Sequence, residues 1–413
     1  MWIGIDDTDS ATGMCTTYIG AVLVRRLQRA GIHVADARLV RLNPNVIHKT
    51  RGNAAVCIEA EGDIPTAFRL ACACVEEFAE FDAADTNPGV VVTGARPPPD
   101  FYYAALRDFC SLEEAIDVLE SVGALYRGYK NRRGLIGATA AVASEFSDRT
   151  YEVLAYRKET AWGSRREVDR ESLFCADRMT YPHTWDTVDR ESDVVVAVPG
   201  TPDPVLFGIR GESPGWVREA RSCICSEESA CEVVYTTNQG TDAHLMAGTV
   251  GMLREGRSYL VRGTVAAPPA TGPGGHVSLQ LTEGDAGIRC MAYEPTRGFR
   301  NIVRALIPGD MVVVAGSYKG GSLNLEKLGI SRLADAVRTR PPICPACARR
   351  MTSAGTGKGY KCRVCGARAR EPYIERLERS IRPGWYEVPP SARRHLARPL
   401  VRGIPAWQQA LCE

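Results

Sequence analysis

Trp2-Ile3-Gly4-Ile5-Asp6-Asp7-Thr8-Asp9-Ser10, followed by Gly13-Met14-Cys15-Thr16-Thr17, is the stretch on which the reading of this 413-residue chain turns. An apolar lead running straight into three carboxylates reads as a β-strand that ends in a magnesium site. Aspartate is disfavoured within strands, and three like charges repel unless a cation or a helix start compensates them. A helix start is close by. From Ile19 the apolar residues recur as Val22, Leu23, Leu27 and Ala30, the spacing of one helical face. Thr16 and Thr17 are thereby expected at the first helical turn, where free backbone amides suit phosphate oxygens. Aspartate and serine after a strand are also ordinary turn formers and caps, and this plainer role stays open at this point.

The chain is too long for one core and predicts two to four domains of soluble, globular composition. No apolar run approaches the roughly 18 residues of a membrane span, and the N-terminus lacks a signal-peptide layout, so no membrane partner and a cytoplasmic location are expected. A formal charge of +2 conceals an asymmetry: residues 336–413 carry 16 Lys or Arg against 5 Asp or Glu, leaving 35 against 44 elsewhere, that is +11 against −9. A basic C-terminal part on an acidic body points to a polyanion held far from the chemistry, although a solvated, partly disordered tail has the same composition.

Four of the 15 cysteines, Cys344, Cys347, Cys362 and Cys365, form two C-x-x-C knuckles 14 residues apart, with Gly355, Gly357 and Gly359 between them. Two such pairs supply the four thiolates of a tetrahedral zinc site, and redox pairing is the weaker alternative. The remaining cysteines lack such spacing and are expected to be reduced.

Strands at Val34–Leu42 and Ala54–Ile58 flank the polar loop from Asn43 to Asn53, whose Asn, Lys and Arg side chains, Lys49, Arg51 and Asn53 among them, could supply phosphate ligands beside the acids, although a polar surface loop needs no function. A helix over Ala67–Phe78, a strand at Val90–Val92 and a helical pattern from Phe101 to Leu125 complete an α/β first domain over residues 1–120. Residues 121–242 form a second mixed region with a strand at Tyr151–Arg157 and an apolar strand before Glu212. In 243–335, five short segments (Tyr259–Val265, His276–Leu281, Ile288–Tyr293, Met311–Tyr318 and Ser322–Leu328) predict an OB-like barrel of the kind that tracks single-stranded nucleic acid. The zinc knuckles occupy 336–372. A basic tail, 373–413, is expected to grip RNA through its arginines and aromatics.

The ordered set resembles the archaeal tRNA-Ile 2-agmatinylcytidine synthetase family over nearly the whole chain. The resemblance rests on Gly4–Ser10 with Gly13–Tyr18, Arg41–Pro44 with Lys49–Asn53, Asp203–Leu206 through Gly208–Glu212, Thr237–Asp242 and the two knuckles. It implies an α+β multidomain fold: a kinase-like α/β domain, a ferredoxin-like domain, an OB-fold β-barrel and a zinc ribbon. It also implies an ATP-dependent ligase that conjugates agmatine to the 2-position of the wobble cytidine of an isoleucine tRNA, changing codon reading from AUG to AUA. In that family the 2-carbonyl oxygen is phosphorylated, the amine displaces phosphate, and ATP ends as AMP and phosphate.

Carried onto this chain, the resemblance makes Thr16 the phosphorylated threonine. Asp6, Asp7 and Asp9 would hold Mg2+ on ATP, with Lys49, Arg51, Asn53 and Thr17 steadying its phosphates. Asp203 and Glu212, which flank an apolar strand, are the nominated carboxylates for dicationic agmatine. Cys344, Cys347, Cys362 and Cys365 would hold Zn2+. The rival readings are a non-catalytic RNA-binding zinc protein and a magnesium-dependent RNA phosphoesterase. The oligomeric state is not legible in the sequence.

Overall fold

Trp2–Asp6 is the first strand, β1, in a computed structural model that describes residues 1–50 and 52–412. Its alternation sends Ile3 and Ile5 into one core, while Gly4 lets a helix approach from the other face. With β2 (His33–Arg41), β3 (Ala54–Glu61), β4 (Gly89–Thr93) and β5 (Leu125–Gly128) it builds an antiparallel sheet in the order β5-β4-β1-β3-β2. Helices α1 (Thr16–Arg29) and α2 (Ile64–Phe78) cover the Ile3 face through Leu23, Leu27, Ala71 and Val75. Helices α3 (Asp100–Arg107), α4 (Leu112–Ser121) and α5 (Gly134–Val142) cover the other face around Val91 and Leu106. The helical pattern expected from Phe101 to Leu125 is split because Ser111 starts a new helix, accepting from the Glu114 amide (3.1 Å) in a capping box.

The second half of the sheet comes from β6 (Thr150–Arg157), β7 (Thr184–Trp185), β10 (Val205–Gly211) and β11 (Ser229–Thr237). A two-stranded hairpin, β8 (Val188–Asp189) with β9 (Val194–Val195), stands beside it. Helices α6 (Arg170–Thr180) and α7 (Pro214–Ser222) pack on this half through Leu173, Ala176 and Val217. The halves join where Arg38 and Leu39 of β2 pair in parallel with Thr236 and Thr237 of β11, so one nine-stranded sheet runs across the boundary expected near residue 120. By packing, β5 and α5 belong to the first half. The small-residue run of α5 explains why: a Cβ on Gly4 would sit 2.4 Å from the Ala138 carbonyl oxygen, and one on Gly89 2.2 Å from the Gly134 carbonyl carbon. Helix and sheet meet backbone to backbone.

The five strands predicted in 243–335 are present and close on themselves. They are β13 (Ser258–Thr271), β14 (Val277–Glu283), β15 (Ala286–Ala292), β16 (Met311–Lys319) and β17 (Ser322–Arg332), with a short β12 (Leu245–Gly248) added parallel to β13. β13 pairs with both β14 and β16, so the barrel has no free edge along that seam. A two-stranded neck, Val337–Arg340 with Tyr373–Arg376, then carries a three-stranded module around the four cysteines.

The expected C-terminal tail is instead part of the folded body. Gly384–Glu387 adds a strand to β17, and a helix over Ala406–Cys412 buries Gln408. Its arginines find internal partners: Arg379 grips buried Asp310 (2.7 Å), Arg393 meets Asp186 and Glu387, and Arg402 meets Glu212 (2.6 Å) and Asp148 (3.0 Å). For these arginines the charge count misled, because Asp310, Asp186, Glu212 and Asp148 of the acidic body already pair with them. Among the described residues no helix is long and apolar enough to cross a membrane.

Candidate active site

The acids sit where β1 runs out beside the first turn of α5. Asp6 is opposite Gly89 in the sheet, and its carboxylate lies so close to α5 that a Cβ on Gly137 would fall 1.8 Å from Oδ2. Asp7 takes a left-handed backbone (φ 58°), which turns the chain out of the strand and aims its side chain at Arg133, 3.0 Å away. The loop that follows is tied down at several points. The Thr86 hydroxyl donates to the Asp9 carbonyl (2.7 Å), the Glu80 amide to the Thr8 carbonyl (3.1 Å), and Ser10 Oγ accepts from the amides of Thr12 and Gly13 (both 3.1 Å). Thr16 opens α1 as expected, buried, its hydroxyl accepting from that of Thr8 (3.0 Å).

This packing puts carboxyl groups where water is scarce and disfavours their charged form. Desolvation, reinforced by Asp7, raises the Asp6 pKa well above the ordinary carboxylate range. Burial likewise pushes Asp7 up to about 6, against the opposing pull of Arg133. Three carboxyl groups thus line one cavity, donors of the type a hard cation takes, although among the described residues only the four cysteines below bring their ligand atoms within 4.8 Å of one another.

Two cavities open here and share a wall. The smaller, about 170 Å³, is lined by Asp6, Asp7, Asp9 and Arg133 together with apolar side chains. The larger, about 660 Å³, is lined by Thr16, Thr17, Arg41, Glu152, Asp203 and Arg210, among others. Asp9, Lys49, Gly52 and Asn53 line both. Of the residues singled out in the sequence, the structure therefore gathers Asp6, Asp7, Asp9, Thr16, Thr17, Lys49, Asn53 and Asp203 into one connected space. Arg51 lies outside the described residues. Glu212 does not line either cavity, because Arg402 draws its carboxylate into an ion pair at 2.6 Å. Asp203 accepts from the Val205 amide (2.9 Å) and from Arg166 (3.3 Å).

The polar loop between β2 and β3 is braced. Asn53 donates to the Asn43 carbonyl (3.0 Å), and Asn43 donates to the carbonyls of Asp108 and Gly256 (both 3.1 Å), which fastens the loop to the barrel. Partial desolvation, then the neighbouring charges of Arg394 and Lys319, lowers the Lys49 pKa, and burial brings Arg41 down to about 10.

Sequence reasoning missed several members of this site. Arg133 was visible only as one cation in a basic run. Glu152 bridges Arg210 (3.1 Å) and Gln239 (2.5 Å) on the cavity floor, and it lay unremarked in a predicted strand. Arg393, Arg394 and His395 line the larger cavity from a segment expected to be tail. Their only signal was the arginine pair itself, which composition could not place.

The four cysteine sulfurs of the zinc module lie within 4.8 Å of one another. Four sulfurs about 2.3 Å from a central ion stand nearly 4 Å apart, so the cluster fits tetrahedral zinc. Backbone amides of Cys365 and Val364 aimed at Cys362 lower its thiol to about 6, whereas the side chain of Cys365 pushes Cys347 up to about 12, so it is the spacing of the sulfurs that fits the ion.

Three family models match the chain: TiaS TCKD domain over residues 2–64, TiaS FLD domain over 132–244 and TiaS C-terminal zinc ribbon domain over 341–381. The chain is 50% identical over 403 residues, 97% of each chain, to the tRNA-Ile 2-agmatinylcytidine synthetase TiaS of Methanocorpusculum labreanum. To the protein of the same name from Methanosarcina mazei it is 46% identical over 416 residues, again 97% of each. The fold superposes on TiaS in the crystal structure of its complex with an isoleucine tRNA and ATP with a TM-score of 0.91 at 41% identity, covering 98% of both chains. For the TiaS complex with that tRNA, AMPCPP and agmatine the TM-score is 0.88 at 39% identity, with the same coverage.

Proposed function

The chain belongs to the tRNA-Ile 2-agmatinylcytidine synthetase family, and from that premise we propose that it uses ATP to join agmatine to C2 of the wobble cytidine of an isoleucine tRNA. One observation carries the reading beyond the likeness. A carboxylate-lined cavity suited to a metal-bound triphosphate shares Asp9, Lys49, Gly52 and Asn53 with a cavity large enough for a nucleotide and a small amine.

A cytosine carbonyl is a poor electrophile. Transfer of the γ-phosphoryl group of ATP to O2 turns that oxygen into a leaving group; the primary amine of agmatine then attacks C2, loses a proton, and phosphate departs with the oxygen, while water cleaves the remaining α–β phosphoanhydride to leave AMP and a second phosphate. Asp6, Asp7 and Asp9 are the residues that would hold Mg2+ on ATP, where it supplies charge neutralisation during phosphoryl transfer. Lys49, Asn53 and Thr17 steady the phosphates from the shared wall and the α1 N-terminus. Thr16, at the mouth of α1, is the phosphoacceptor of the protein itself. Asp203 faces the amine, and Glu212 is left with its structural partner. We assign residues 1–120, together with β5 and α5 that pack on them, to a kinase-like unit, the rest of 121–242 to a ferredoxin-like unit, 243–335 to an OB fold and 336–372 to the zinc ribbon. The barrel and ribbon hold the anticodon arm by its backbone, while the wobble base leaves its stack to reach the larger cavity.

The test is incubation of the purified protein with labelled ATP, agmatine and a transcript of the isoleucine tRNA. Agmatine-dependent AMP formation with a matching mass gain at the wobble nucleoside is expected. Binding of the tRNA without that product, or cleavage of the RNA chain, refutes the proposal.

A further inference from the structure

Strand β17 of the barrel breaks its own alternation at one point. Its register with β16 sets Lys327 opposite Ala315 and Leu325 opposite Gly316, so Glu326 is the extra residue of a β-bulge. Leu325 and Leu328, which flank the irregularity, belong to the barrel core, and Glu326 and Lys327 between them make their contacts outside it. Lys327 reaches Asp242 (2.5 Å), the acid that fastens the amide of Arg398 and the side chain of Gln408. Glu326 has a different task. Its carboxylate is buried, and among the described residues Oε1 accepts no hydrogen bond, yet it lies 3.2 Å from Arg394 Nη1. Oε2 is 3.3 Å from Nε2 of His244, which is buried as well. Burial alone would raise the Glu326 pKa, but Arg394 and then His244 bring it down to about 2, so the acid stays charged.

Arg394 carries that charge to the larger cavity, which it lines beside Lys49, while Glu326 lines neither cavity. Ser317 of β16 and Asn45 of the loop between β2 and β3 (3.3 Å) also accept from Arg394 Nη1, so barrel, loop and C-terminal segment converge on one guanidinium. Arg394 in turn helps to lower the Lys49 pKa, a sign that the two cations repel. A long cationic side chain beside another cation gains by swinging away unless an anion holds it. We infer that Glu326 is a positioning residue for the reaction: from the barrel it fixes the Arg394 guanidinium on the cavity wall next to Lys49. The inference rests on the reading of this cavity as the place where the wobble cytidine reacts. Negative charge on the phosphoryl oxygens must be answered there as the group passes to O2 and later departs as phosphate, and a cation fixed in advance answers it best. The barrel thus contributes to the chemistry through a carboxylate that no substrate touches.

The experiment measures agmatine-dependent AMP formation, and tRNA affinity by filter binding, in wild type, Glu326→Gln, Arg394→Ala and the double variant, with thermal melting to show that each is folded. Glu326→Gln keeps the shape of the side chain and removes its charge. It is expected to lower kcat about tenfold or more with the Kd for tRNA unmoved, and to cause no further loss once Arg394 is Ala. Additive losses overturn the inference, because Glu326 would then act independently of Arg394. An unchanged kcat overturns it too, as does a loss confined to tRNA affinity, which would assign the acid to the barrel's hold on RNA. Should Glu326→Gln not fold, Glu326→Asp, which keeps the charge but draws it back by one methylene, goes through the same cycle and is read in the same way. Inactive wild-type protein refutes the proposed reaction and takes the inference with it, whereas active wild type with additive losses overturns the inference alone.

Discussion

Replacing Asp7 by Asn is expected to make the protein more stable and inactive. Burial lifts the Asp7 carboxyl from its ordinary 3.8 to about 6 in the folded protein. The native state therefore binds this proton more tightly than the unfolded chain does, so stability is lost as pH rises from about 4 to about 6 and then levels off. At 1.36 kcal/mol for each tenfold change, the whole loss is about 3 kcal/mol at neutral pH. The Arg133 ion pair is already contained in that figure, because its pull on the carboxylate is one of the causes that set the value. Asn, neutral throughout, escapes the loss, and it also removes the repulsion that helps to raise Asp6. Metal-free Asp7→Asn should thus melt several degrees above wild type at pH 7 and converge on it only as pH falls below about 4. Magnesium should raise the wild-type midpoint and leave the variant where it is, while AMP formation disappears. Thermal unfolding followed by circular dichroism across this pH range, beside the AMP assay, provides the readout. A variant no more stable than wild type at pH 7, or one that still turns over, refutes the reasoning that charge is stored here for a cation.

Asp242→Ala removes the partner of buried Lys327 (2.5 Å) together with contacts to Gln408 (2.8 Å) and the Arg398 amide (2.7 Å), and should cost about 3–5 kcal/mol of stability, read by urea unfolding. Gly137→Ala drives a methyl into the Asp6 carboxylate and should lower the rate of AMP formation while tRNA affinity, measured by filter binding, is retained. Lys358→Gln with Lys361→Gln on the zinc module should weaken tRNA binding and reduce the slope of log K against log salt by roughly 0.7–0.9 for each phosphate no longer neutralised. Arg402→Gln, whose parent side chain is held by Glu212 and Asp148, should leave that slope unchanged.

What could be read from the sequence was local. The strand before Asp6, the helix after Thr16 and all five barrel strands declare themselves because alternation and the 3.6-residue period are short-range properties. The cysteine knuckles are legible because two ligands fit within four residues. The join between β2 and β11 is not, since it rests on two pairs of residues almost 200 positions apart and leaves no periodic trace. Separation in sequence also hid the partnership of Arg133 with Asp7, 126 positions apart, and the return of Arg393 and Arg394 to the cavity. It also misdirected Glu212: a carboxylate at a strand end looks available until the arginine that occupies it, 190 positions later, is seen beside it.

The larger cavity is walled in part by Pro390, Ser391 and the residues up to Leu396, held by Asp186, Asp189, Asp242 and Glu326. Ribosomal synthesis delivers Asp6 first and these residues almost 400 positions later. The acid-bearing loop, the barrel and the four-cysteine module are therefore all synthesised while the larger cavity still lacks a side.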